Sequence, residues 1–508
     1  MTVVAPPSLQ RIPSGVLGLD AVLDGGFLQG GTYIVAGMPG TGKTILGNQI
    51  SFHHVAHGGR VVYVTLLAET HGRMLAHLRG LAFFTEEPLA SALQYVSAYR
   101  VLTQEGLKGL LEMLRQLIRE HRASMLVLDG LVSASASAPN ELAFKEFVHE
   151  LNTLVSVIGC TTFLLTNSHR PEDVHPEHTM VDGLIELTDE LIGVRAVREL
   201  IVRKFRGSAH LRGRHVFQIS QQGITVYPRS EAMLADPIAV PGEYTARLPV
   251  GVPVLDEMLR GGLQRGSATL VMGPSGSGKT LLGLQFLAEG AKRGEPCLYF
   301  GFYESPPRLV GKGQSIGLDL VGAAKAGLLE MIWQPPVELV LDALAVKILA
   351  AIKRRGVQRL LIDWLVGFKE STVHTERINR FFAAFTNELR ALEVTTVFTE
   401  ETRVLFGPEV ETPVKGLSAL VENHLFLRQL EWKGELRRVL AILKTRESGH
   451  DPSLRQVVID DQGIHIGGRF DSSSALLTDP GLSPATRGTG GTRGKRSTGA
   501  RKKRGARK

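Results

Sequence analysis

Two copies of one loop constrain this chain more than any other feature. Residues 37–44 read GMPGTGKT and residues 273–280 read GPSGSGKT. Both satisfy Gly-x-x-x-x-Gly-Lys-Ser/Thr, whose backbone N–H groups cradle nucleotide phosphates while the lysine reaches the outer ones. The expected phosphate contacts are Gly37, Gly40, Thr41, Gly42, Lys43 and Thr44, then Gly273, Gly276, Ser277, Gly278, Lys279 and Thr280. Each loop leaves an apolar run, TYIVAG at 32–37 or ATLVMG at 268–273. Each then enters a helix-compatible segment, ILGNQISFHHVAHGG or LLGLQFLAEGAKRG, that ends at glycine. Strand, loop and helix therefore follow in the order that phosphate binding needs, and two nucleotide sites are expected.

The loops belong to a larger duplication. A shift of 236 positions superimposes Gly15 on Gly251, Asp20 on Asp256, Gly25-Gly26 on Gly261-Gly262, Gly30 on Gly266 and Lys43 on Lys279. QGI at 222–224 recurs at 462–464, a shift of 240. The repeating unit is a whole domain, far longer than the roughly 20–50-residue periods of solenoids. For 508 residues a prior of about 100–200 residues per domain suggests two to four domains, and the repeat settles the number at two.

The formal charge of +8 is unevenly placed. Residues 481–508 hold ten Lys or Arg and no acid, so the remainder carries 8 − 10 = −2. That Gly-, Ser- and Thr-rich tail cannot bury enough apolar surface to fold and is expected to be disordered. It leaves open contacts with nucleic acid, an acidic protein or anionic lipid, or a purely solubilising role. The two cysteines, Cys160 and Cys297, lie in or beside apolar runs and exclude a disulfide framework or a four-cysteine zinc site. No apolar run reaches the roughly 18 residues of a membrane helix and the N-terminus lacks a signal pattern, so a cytoplasmic protein is expected.

A phosphate loop needs a magnesium partner, usually an Asp ending a buried strand. SMLVLDG offers Asp129 and RLLIDW offers Asp363, 86 and 84 residues beyond Lys43 and Lys279. With Thr44 and Thr280 they form the expected metal set. Each Asp strand follows an amphipathic helix: Leu107, Leu110, Leu111, Leu114, Leu117 and Ile118 recur at helical spacing, as do the apolar residues of ELVLDALAVKILAAIKRR. Alternating helices and short apolar strands predict an α/β fold with a mostly parallel sheet covered on both faces. VVYVTLLAET and CLYFGFYES place Glu69 and Glu304 at 26 and 25 residues past the loop lysines, where a carboxylate could handle the attacking water. Thr70 and Ser305 beside them also suit helix capping. Late in each half, Lys204 and Arg206 in KFRGS match Lys444 and Arg446 in KTRES, 240 residues on. Alternate strand residues share a face, so each pair presents two cations suited to phosphoryl charge, or to an ordinary exposed strand.

In order, GLDAVLDGGFLQGGTYIVAGMPGTGKT and GVPVLDEMLRGGLQRGSATLVMGPSGSGKT, the acids Asp129 and Asp363, and KFRGS and KTRES before QGI resemble the KaiC family of RecA-like double-domain ATPases. The resemblance covers about residues 8–470. It implies tandem RecA-like P-loop NTPase domains at 8–235 and 243–470, a tail at 471–508, and a homohexamer of two stacked rings. It further implies ATP and Mg²⁺ at subunit interfaces, with the late Lys and Arg reaching the neighbour's γ-phosphate, and signalling protein partners. Some members phosphorylate a Ser-Thr pair in the second domain. Two departures stand out. The family's paired glutamates are Ala68-Glu69 and Tyr303-Glu304 here, which implies slower turnover. In GLSALVENH, Ser418 falls at the family's serine while Ala419 replaces the threonine, which excludes two-site phosphorylation and leaves Ser418 open.

The leading expectation is thus an ATPase with Ser/Thr autokinase activity as a further option. A DNA motor and a weakly hydrolysing nucleotide-dependent scaffold compete with it; the slightly acidic body lacks a basic-aromatic platform for single strands. The His169, His175 and His178 cluster in HRPEDVHPEH reads as a surface loop, and Trp333, Trp364 and Trp432 as packing residues.

Overall fold

The computed structural model describes residues 10–67, 71–89, 91–167, 177–235, 246–402, 419–432, 434–446 and 449–469. Glu69, Ser418, His169, His175 and residues 470–508 lie outside these.

Each half builds one nine-stranded sheet. In the first, the spatial order is Gly223–Tyr227, Arg214–Ser220, Arg195–Phe205, Gly183–Ile192, Thr32–Gly37, Thr161–Asn167, Met125–Asp129, Val61–Thr65 and Leu93–Ser97. The last six strands run parallel and the first three extend the sheet antiparallel. The second sheet repeats this order with Gly463–Arg469, Arg455–Asp460, Glu435–Thr445, Asn423–Trp432, Ala268–Gly273, Thr395–Glu401, Arg359–Asp363, Cys297–Gly301 and Leu329–Trp333. The mostly parallel sheets expected from the alternation are present. The antiparallel extension is what the sequence pattern did not announce.

The central strands are buried on both faces, which explains their unbroken apolar runs. Tyr33, Val35, Tyr63, Val127, Phe163 and Leu165 fill one core, while Ile34, Val62, Val64, Leu126, Leu128 and Leu164 fill the other. Each such side chain contributes roughly 1.5–3 kcal/mol on leaving water. The predicted helices appear as Tyr99–His121 and Leu341–Arg355, but the first is broken at Gly106 (φ 66°, ψ −159°), just before the leucine repeat begins. Cys160 and Cys297 are buried and unpaired.

The halves are joined by polar contacts. Arg377 forks onto Glu231 at 2.7 and 2.9 Å and onto Asp342 at 3.0 and 3.1 Å. Asp342 also accepts from the Ser230 N–H and hydroxyl at 2.9 and 3.0 Å. No described helix is long and apolar enough to cross a membrane.

Candidate nucleotide sites

Both loops follow their strands residue for residue: Thr32–Gly37 then helix Lys43–Ala56, and Ala268–Gly273 then helix Lys279–Lys292. The loop lysine is the first helical residue each time. Directly before it, Gly42 (φ 102°) and Gly278 (φ 105°) take a left-handed turn that places the loop at the helix N-terminus. A Cβ there would also fall 2.7 Å from the Ile219 or Ile459 side chain. Lys43 Nζ donates to the Gly37 and Met38 carbonyls at 2.8 Å, and Lys279 Nζ to Gly273 and Pro274 at 2.9 and 2.7 Å. Burial lowers both ammonium pKa values; Asp129 opposes the shift in the first site, and Glu401 and Asp363 in the second. In the first loop Thr41 Oγ1 donates to the Met38 carbonyl at 2.8 Å; Ser277 Oγ in the second is buried with no partner among the described residues.

Asp129 and Asp363 end their strands one strand away from the loop strand. The first helix crosses that gap, packing over Thr161–Asn167 and Met125–Asp129. Its second residue therefore meets the acid: Thr44 Oγ1 donates to Asp129 Oδ2 at 2.8 Å. In the second site Thr280 Oγ1 lies 3.3 and 3.1 Å from the two Asp363 oxygens. Burial raises the Asp363 pKa, opposed by hydrogen bonds from Thr399 and Thr280. The hydroxyl–carboxylate pairs at a helix N-terminus match the hard oxygen donors that magnesium takes, so the residues present fit that ion.

A further partner escaped the sequence reading. Tyr63 donates to Asp129 Oδ2 at 3.0 Å and Tyr299 to Asp363 Oδ2 at 3.2 Å. The signal was present, because 63 + 236 = 299 follows the repeat. Burial, then the aspartate charge, raises both phenol pKa values, so each tyrosine remains a donor that aims its carboxylate.

Glu304 lies in a cavity of about 580 Å³ with Lys279, Thr280, Asp363, Tyr303 and Trp364. Its Oε1 accepts from Lys312, and its Oε2 is buried without a partner among the described residues. Trp364, expected to serve packing, packs edge-on against Tyr303 and also lines this cavity. It takes φ 77° directly after Asp363, where the first domain has Gly130 at φ 95°. Trp333 is 43% exposed and donates to the Phe302 carbonyl at 3.0 Å, so it too is more than core filling.

The late cations stand apart from their own loops. Lys204 Nζ donates to the His178 and Thr179 carbonyls at 3.0 Å, and Arg206 to Thr179 at 3.1 Å. Lys444 bonds the Val421 carbonyl at 3.1 Å, and Arg446 bonds that of Ala419. Burial and the adjacent arginine lower both lysine pKa values, which reflects the side-by-side placement expected for Lys-x-Arg. Neither Lys444 nor Arg446 lines the cavity around Lys279.

A family model for the KaiC ATPase matches residues 12–231 and again 248–470. Similar proteins include the circadian clock oscillator protein KaiC of Picosynechococcus sp. (strain ATCC 27264 / PCC 7002 / PR-6), 25% identical over 483 residues and 92% of each chain. The namesake of Rippkaea orientalis is also 25% identical, over 92% of this chain and 91% of its own. The circadian clock protein KaiC3 of Synechocystis sp. (strain ATCC 27184 / PCC 6803 / Kazusa) is 26% identical over 92% and 94%. With its two RecA-like α/β halves each matched in full, the chain belongs to the KaiC family of ATPases.

Proposed function

We propose that both domains bind ATP with Mg²⁺, that the chain hydrolyses it as a homohexameric ring, and that Ser418 is the acceptor for any autophosphorylation. The observation that carries this reading is the Thr–Asp pair behind each loop, 2.8 Å apart in the first domain and 3.1 Å in the second. Lys43 and Lys279, with the loop amides, hold phosphate oxygens. Thr44 with Asp129, and Thr280 with Asp363, hold the metal, oriented by Tyr63 and Tyr299. Magnesium, when bound, neutralises charge on the outer phosphates. Glu304 orients water through its buried Oε2, and Glu69 has the same role in the first domain. Lys204 with Arg206, and Lys444 with Arg446, serve the neighbouring subunit, a reading supported by the absence of Lys444 and Arg446 from the lining of the cavity around Lys279.

Restrained turnover in the second domain is supported by one contact, in which Lys312 already holds Glu304 Oε1; the companion acid is replaced in both domains, by Ala68 and Tyr303. Bound ATP per chain, phosphate release and native mass test the proposal together. Lys43→Ala and Lys279→Ala should each remove one bound ATP, and the double variant should stop hydrolysis. Parental turnover by the double variant, or a monomer under Mg²⁺ and ATP, defeats it. γ-Labelled ATP that leaves Ser418 unlabelled removes the kinase activity alone. DNA stimulation that survives deletion of residues 481–508 would instead favour a motor.

A further inference from the structure

The first domain sends a hairpin into the second. Strand Gly183–Ile192 pairs with the first loop strand from Tyr33↔Gly183 to Gly37↔Leu187, then runs five residues further. It turns at Gly193 (φ 64°) into Arg195–Phe205. At that turn the Arg195 side chain leaves its own domain. Its NH2 donates to the Leu339 carbonyl at 2.6 Å and its NH1 to the Glu370 carbonyl at 3.2 Å, while the Glu338 carboxylate lies 3.8 Å from Nε. One planar guanidinium thus ties two separate segments through donors held in a fixed fork, which an ammonium reproduces only in part.

From Glu370 the contacts continue into the cavity around Lys279. The Glu370 carboxylate accepts from the Tyr303 hydroxyl at 3.2 Å. Burial, then the Glu370 charge, pushes that phenol up to about 12, so it stays a donor at neutral pH. The Tyr303 ring meets Trp364 edge-on, centroids 4.0 Å apart. Trp364 follows Asp363 and holds φ 77°, a strained state that persists only where surroundings over-determine it. The first domain has Ala68 and Gly130 at the matching positions, so this aromatic wall is particular to the second.

We infer that Arg195 is a positioning residue for the second nucleotide site: it fixes the Glu370 segment that sets the Tyr303–Trp364 wall beside Asp363. The inference rests on the reading that this cavity takes ATP. It makes that site depend on a side chain from the other domain.

The test uses the full chain carrying Trp333→Phe and Trp432→Phe, which leaves Trp364 as its single tryptophan. Emission is recorded without nucleotide and during Mg·ATP titration, for Arg195→Ala, Arg195→Lys, Tyr303→Phe and the Ala/Phe double variant. Arg195→Ala should shift the nucleotide-free emission and weaken second-site binding roughly fivefold, the scale of a lost, partly exposed charge-assisted hydrogen bond. Tyr303→Phe, which removes a single oxygen, should do the same, and the double variant should be no worse than either. Arg195→Lys should recover only part. Unchanged emission and affinity in Arg195→Ala, or a double effect equal to the product of the singles, overturns the inference. Should Arg195→Ala misfold, parental emission and affinity in Tyr303→Phe overturn it equally. If ATP never changes Trp364 emission and Lys279→Ala leaves ATP stoichiometry unaltered, the ATP reading of this site fails; the nucleotide-free spectra still decide the role of Arg195.

Discussion

Trp364→Gly should leave the second domain more stable than Trp364→Ala, the reverse of the usual order. Alanine normally wins by about 0.5–1 kcal/mol, because glycine loses more chain freedom on folding. At residue 364 the backbone is held in the left-handed region at φ 77°. It is pinned on both sides: its N–H donates to Thr399 Oγ1 at 2.9 Å and its carbonyl accepts from Gly367 at 3.2 Å. A Cβ there costs about 1–2 kcal/mol, a penalty that alanine keeps and glycine removes. Both variants lose the same indole, so the aromatic and burial contributions cancel between them. The difference is about 0.5–1 kcal/mol in favour of glycine. Gly130→Ala in the first domain is the mirror experiment, where the new Cβ also meets Leu67 Cδ2 at 2.9 Å. Urea titration of the second-domain transition, compared pairwise, measures the difference. An alanine variant equal to or more stable than the glycine variant refutes the argument that turn geometry, not side-chain preference, sets residue 364.

Glu295→Ala should destabilise the second domain by about 3 kcal/mol, since it strips the carboxylate from a guanidinium buried to 0% exposure at Arg359; thermal unfolding reports it. Arg377→Ala should cost a similar amount, about 3 kcal/mol, by removing the guanidinium that Glu231 and Asp342 share and leaving them only Arg229 and Ser230, and calorimetry should show the two halves melting further apart. His424 is 6% exposed, and burial beside Lys444 and Arg446 lowers its pKa from 6.5 to about 4. Below pH 6.5 the unfolded chain takes up a proton that the folded one refuses, so stability falls as pH drops from 6.5 towards 4, by at most about 3 kcal/mol. His424→Leu, matching Leu184 in the first domain, should flatten that slope in acid unfolding curves. Asp363→Asn should abolish the Mg²⁺-dependent part of ATP affinity in the second site, read by titration with and without EDTA, and Asp129→Asn should do so in the first.

Local chemistry explains what could be read from the chain. Loop strands, helix starts at Lys43 and Lys279, and the strand-ending Asp129 and Asp363 all follow from contiguous residues whose roles fix their neighbours. The Gly106 break left no mark in the leucine spacing, because the repeat starts one residue later. Nothing in RLLIDW announces that Trp364 takes a left-handed backbone; only its alignment with Gly130 carries that signal. Arg359, at the start of an apolar strand, reads as an exposed end, yet it is enclosed by Glu295 and the Pro249 and Phe286 carbonyls. The Arg377 cluster joins residues more than a hundred positions apart, which no window along the sequence can bring together.

Strand Arg195–Phe205 grips the second domain at one end and, one residue beyond Lys204, ends where Arg206 begins the turn. At about 3.3 Å per residue it is a stiff rod of about 33 Å. Inserting or deleting a single residue would reverse the facing of every side chain beyond the change. The ladder to Gly183–Ile192 already absorbs one extra residue opposite Leu184 and Ile185, so a further indel between Arg195 and Val202 should turn Lys204 to the other face.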